Sequence, residues 1–174
     1  MKASRRISLL AVLAVFLVSP AVSAEAVPLS DRQIQVIKAN CLGAQNSIQQ
    51  LQRTEAVTRV NRGRAYESIS KLFVALNSRV AINKLDAPAL TSATTEMEHR
   101  FTAFKDDYSA YEDVLSDTAK LSCAVQPVTF YDTLTHAREL RAKVAADIKA
   151  INEMLDAYQQ GVKDLRAQVN EDQQ

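Results

Sequence analysis

Apolar positions along this chain fall into long seams spaced by alternating steps of three and four, the rhythm of a helix face turned toward a core. The first seam is Ile34, Ile37, Cys41, Ala44, Ile48 and Leu51. It fades over residues 52–64, a polar stretch holding β-branched Thr54, Val57, Thr58 and Val60 and the helix-weakening Gly63. Ile69, Phe73, Leu76 and Val80 restore it. A second seam is Leu90, Thr94, Met97, Phe101, Phe104, Tyr108, Tyr111 and Leu115. The third runs through Phe130, Leu134, Ala137, Val144, Ile148, Ile151, Leu155, Tyr158, Val162, Leu165 and Val169, with Arg141 as its one charged member.

Punctuation agrees with the seams. Ser30 and Gln33 have the Ser-x-x-Gln spacing of a capping box, which starts the first helix. Pro88 and Pro127 suit the first turns of the next two, where a missing N–H costs nothing. Glycine and proline are otherwise sparse, leaving little room for strands and tight turns.

The two cysteines, Cys41 and Cys123, test the direction of each segment. If residues 52–64 reversed the chain, four antiparallel helices would place them about 33 Å apart at about 1.5 Å per residue. A disulfide needs Cα atoms within about 7 Å. If residues 30–85 run one way, the mismatch falls to about 15 Å, which a bend near 52–64 can absorb. The predicted fold is therefore all-α: an elongated antiparallel three-helix bundle, coiled-coil-like, with its first long helix broken or kinked near 52–64. An intramolecular bridge is the expected state of the cysteines; two buried free thiols or a bridge between chains are the alternatives.

The amino terminus changes the compartment. Lys2, Arg5 and Arg6 precede an apolar run from Ile7 to Val18, and Val22-Ser23-Ala24 supplies small residues for cleavage. That order predicts a secretory signal peptide over residues 1–24, with 25–174 as one helical domain. The run is shorter than the roughly 20 residues a membrane-spanning helix needs, and no later segment is apolar enough to span. The expected location is the periplasm, the cell envelope or the medium. Loss of Lys2, Arg5 and Arg6 turns 21 basic and 20 acidic residues into 18 and 20. So balanced a surface has no electrostatic footprint for nucleic acid.

Candidate chemistry is thin. Arg59, Arg62 and Arg64 cluster beside Gly63 and suit an acidic partner or a phosphate group. Internal pairing at a kink is the favoured reading, in which Arg62 falls level with Glu112, Asp113 and Glu139. Glu96 and His99 form one Glu-x-x-His, but His136 has Thr133 where a second glutamate would stand, so a carboxylate-bridged metal pair is not expected. His136 and Glu139 lack a nucleophile elbow to complete a triad. The aromatic run Phe101, Phe104, Tyr108 and Tyr111 reads as core, with hydroxyls at the rim, rather than as a ligand cleft. Neither a catalytic role nor a cofactor is expected.

Asn61-Arg62-Gly63-Arg64-Ala65-Tyr66-Glu67, Leu76-Asn77-Ser78-Arg79-Val80-Ala81, and Cys123 with Gln126-Pro127 and Phe130-Tyr131 resemble a family of small exported helical proteins of reduced-genome candidate-phylum bacteria. The resemblance extends over about residues 36–160 and implies an exported helical protein without implying a site. The functional expectation is an extracytoplasmic interaction protein, its partner another protein. A periplasmic chaperone or adaptor that holds clients is the alternative.

Overall fold

The computed structural model describes residues 28–171. The segment read as a signal peptide, with its cleavage point, lies outside the described residues. Four α-helices make up the fold: α1 (Asp31–Ala39), α2 (Cys41–Ile82), α3 (Pro88–Lys120) and α4 (Pro127–Glu171). Among the described residues none is long and apolar enough to cross a membrane.

Two expectations are corrected here. The count is four helices rather than three, and the interruption lies at Asn40, not at 52–64. Ser30 caps α1 through the capping box with Gln33. Asn40 ends it, its side-chain amide donating to the Val36 carbonyl at 2.8 Å and so competing with the helical ladder. Residues 52–64 are unbroken helix. Thr54 and Thr58 turn their hydroxyls back onto the carbonyls of Gln50 and Thr54, which keeps these polar side chains satisfied on the helix. A Cβ on Gly63 would meet open space and its φ is not positive, so neither space nor backbone requires glycine there.

The seam fades there for a different reason. Buried or seam positions on α2 run 41, 48, 55 and then 59, 66, 73, 80, two heptad runs offset by four residues. An insertion of four in a heptad pattern unwinds the supercoil locally without breaking the helix. Glu55 and Arg59 occupy the shift, so the seam is charged where it looked absent.

Paired positions give the directions. As numbers rise on α2 they fall on α3 and the segment just past it: Cys41 lies with Cys123, Arg59 with Glu112, Tyr66 with Phe104, and Asn77 with Leu90. Between α2 and α4 they rise together, from Glu55 with Arg141 to Phe73 with Tyr158. Residues 30–51 and 66–84 thus run the same way, as the cysteine argument required.

Cys41 and Cys123 lie at bonding distance, with Cα atoms 5.4 Å apart. Most of the expected length mismatch disappears because the chain turns at Lys84, with Asn77 level with Leu90, and α2 needs no bend. Leu121 is extended and advances about 3.3 Å instead of about 1.5 Å, which takes up part of the remainder. Gln45 of α2 donates to the Leu121 carbonyl at 2.9 Å and ties the two segments together.

At the opposite end α2 stops at Asn83, and Lys84 takes a left-handed φ of 54° to turn the chain into α3. Gly161 of α4 faces Leu90 of α3 there. A Cβ at 161 would come within 2.9 Å of a Leu90 methyl, so glycine permits the close approach. The core centres on α3: Leu90, Met97, Phe104, Tyr108, Tyr111 and Leu115 are all buried, against Ala137, Leu140, Val144 and Ile151 of α4.

Candidate functional site

Midway along the bundle a polar cluster interrupts this core. Glu55 of α2 lies between the other two long helices. One carboxylate oxygen accepts from the Tyr108 hydroxyl of α3, and the other pairs with the Arg141 guanidinium of α4 at 3.2 Å. Its side chain is only 13% exposed. Close by, Arg59 Nε meets Glu112 of α3 at 2.7 Å. Charge-assisted bonds of this kind hold position and register, and their net stabilisation is modest because desolvation offsets it.

Burial and the Glu55 hydrogen bond both push the Tyr108 hydroxyl well above the ordinary phenol range. Tyr111, a turn further along, is pushed up to about 12, first by burial and then by the Glu55 charge, with Arg141 opposing. Both phenols therefore keep their protons at neutral pH. Tyr108 spends its proton on Glu55. The Tyr111 hydroxyl has no hydrogen-bond partner among the described residues, although the residue is 1% exposed.

Two recesses flank the Glu55–Arg141 pair in the crevice between α2 and α4. One, of about 270 Å³, has apolar walls from all three long helices and Arg138 and Arg141 on its rim. The other, of about 300 Å³, is more polar and includes Thr58, Arg62 and Tyr108. Tyr111 and Arg141 line both.

The three arginines singled out in the sequence are not one cluster. Arg59 faces α3 and pairs with Glu112; Arg62 borders the polar recess; Arg64 stands in solvent. The acid expected for Arg62 is taken by Arg59, one turn earlier, because the heptad shift brings that position to the seam. Arg62 forms no ion pair among the described residues, and neither Asp113 nor Glu139 meets an arginine. His136 lies 3.6 Å from Glu139 on the surface of α4. His99 and Glu96 are not near a further ligand, and no group of three or more metal-binding side chains occurs among the described residues.

Phe104, Tyr108 and Tyr111 are core and Phe101 is half-buried against them, with edge-on contacts from Tyr66 to Phe101 and Phe104 and from Phe104 to Tyr108. The Tyr111 hydroxyl, expected at the rim, is instead buried. Sequence reasoning missed Glu55 altogether. The available signal was its position seven residues after Ile48, itself seven after Cys41. Comparison with protein-family models, with curated proteins and with solved structures finds no match to this chain.

Proposed function

We propose that this is an exported binding protein that recognises another protein along the outward side of α2. The observation that carries this reading is a pair of apolar side chains on the side of α2 away from the core. Val57 and Val60 are 60% and 39% exposed, between the exposed Arg53 and Arg64. Steps of four, three and four put these residues on one helix face. A partner segment with apolar anchors and flanking carboxylates complements that face, the helix-against-helix mode in which apolar contacts supply affinity and charges set register. Export rests on the Lys2-to-Ala24 pattern and on the paired cysteines, which suit an oxidising compartment.

The client-holding alternative calls for a contiguous apolar surface. Leu42, Leu72, Val74 and Ile82 are also exposed on α2, but they are distributed along its whole length among polar residues, which favours a defined partner.

A photoreactive residue at position 61, on the same exposed face, with capture from the native envelope, tests the reading. The wild-type protein should retain a discrete partner that the double variant Val57→Asp, Val60→Asp loses, while helix content and melting stay unchanged. Retention of the same partner by the variant overturns the proposal. Suppression of aggregation of unrelated unfolded proteins would favour the client-holding role.

A further inference from the structure

The apolar recess between α2 and α4 combines three features that the protein-binding face does not use. Its walls are Ala44, Ile48 and Leu51 of α2, Leu115 of α3, and Leu134 and Ala137 of α4. Its lining also includes Tyr111, whose hydroxyl is buried without a partner. On its rim Arg138 is exposed and forms no ion pair among the described residues, beside Arg141, which is paired on one side only.

A buried phenol that keeps its proton is a donor in want of an acceptor, and buried donors normally have one. Nearby carboxylates do not supply it. Both oxygens of Glu55 are engaged, by Tyr108 and Arg141, and Glu112 Oε1, itself buried without a partner, forms no hydrogen bond to the Tyr111 hydroxyl. Ser47 also lines the recess and spends its hydroxyl proton on the Gly43 carbonyl; Tyr111, Arg138 and Arg141 are the donors of the lining, and the remaining walls are apolar. Sites of that kind fix orientation with a few polar groups and bury the remainder of the ligand against hydrocarbon.

We propose that this recess binds a small amphiphilic anion, its apolar body against Ile48, Leu51, Leu115 and Leu134, and its carboxylate or phosphate head on Tyr111, Arg138 and Arg141. The head accepts from guanidinium N–H groups and, by displacing the side chains that cover it, from the buried Tyr111 hydroxyl, while Arg141 keeps its contact with Glu55. The site lies on a different side of α2 from Val57 and Val60 and is independent of the protein-binding reading.

Titration calorimetry of the oxidised protein with octanoate, octyl phosphate, octanol and octylammonium tests this, with thermal melting in parallel. Saturable one-to-one binding of either anion is expected, and the tighter of the two identifies the head group. Octanol and octylammonium should bind at least tenfold more weakly. Tyr111→Phe and Arg138→Gln should each weaken anion binding about tenfold. Tyr111→Phe should melt no lower than wild type without ligand, yet lose the rise in melting temperature that the anion gives. Equal affinity for octanol, unchanged anion affinity in both variants, or no saturable binding overturns the proposal.

Discussion

Helices α2 and α3 cross the same bundle but are held in different ways. Seven residues of α3 are buried over 33 positions, six of them spaced so that each faces α2 or α4 through aromatic or aliphatic contact. Only five are buried on α2 over 42 positions, and none lies between Ile48 and Tyr66. Across that gap α2 holds to the bundle through Glu55 and Arg59 instead. The contrast teaches that α3 with α4 forms a continuous apolar spine, while α2 is fastened to it at intervals by a disulfide, a polar node and the Phe73–Tyr158 stack.

Removing the fastening at the turn should have the largest effect. The bridge closes a separation of 82 residues, worth about 4.5 kcal/mol on the chain-entropy model and a fall in melting temperature of about 10 °C. Hydrogen exchange after reduction should show protection lost first over residues 41–55, with α3 and α4 still protected. Uniform loss across all helices would break the comparison.

Side-chain truncation sharpens it. Phe104→Ala removes a ring with no solvent exposure and should cost about 4 kcal/mol. Phe73→Ala opens onto a crevice between α2 and α4 already lined by Leu76, Leu155 and Val162. Water can enter there, and the cost should be nearer ~2 kcal/mol. Chemical denaturation of the two variants compares them directly, and equal losses would place α2 in the spine.

The smallest effect lies within the spine itself. Asp147 of α4 has its pKa raised above the usual carboxylate value, first by burial and then by the charge and hydrogen bond of Asp107 on α3, with Arg100 opposing. A carboxyl whose folded-state pKa is raised favours folding below its unfolded-state pKa, and this contribution is lost as pH rises through the folded value. Asp147→Asn should therefore stabilise the protein at neutral pH by ~0.5 kcal/mol, allowing for solvent screening. Its advantage over wild type should vanish below about pH 4. A variant less stable than wild type at pH 7 would show that the charged form is favoured.

What could be read from the sequence follows from the same contrast. Seams on α3 and α4 are apolar at nearly every step, so Leu90 through Leu115 and Phe130 through Tyr158 announce their helices and their buried faces. Cys41 and Cys123 fixed the direction of α2 because a short covalent reach excludes a reversal. Residues 52–64 were misread because charged Glu55 and Arg59 sit at seam positions. A pattern search for apolar residues registers such positions as a break. The true break at Asn40 is a single residue whose own side chain bonds back to the helix, and the apolar rhythm passes over it undisturbed. The Tyr111 hydroxyl was expected at the rim; only the packing of three helices leaves it buried and without a partner.

The uninterrupted course of α2 has a hydrodynamic consequence. Its 42 residues and the 45 of α4 each extend about 65 Å. A compact sphere of similar chain length has a radius of gyration of about 15 Å. A rod of this length has one near ~20 Å, from the axial rise alone. Such a particle tumbles slowly about its short axes and elutes early from a sizing column for its mass. In a crowded solution it would diffuse most readily along its own length, presenting its long flanks rather than its tips to whatever it passes.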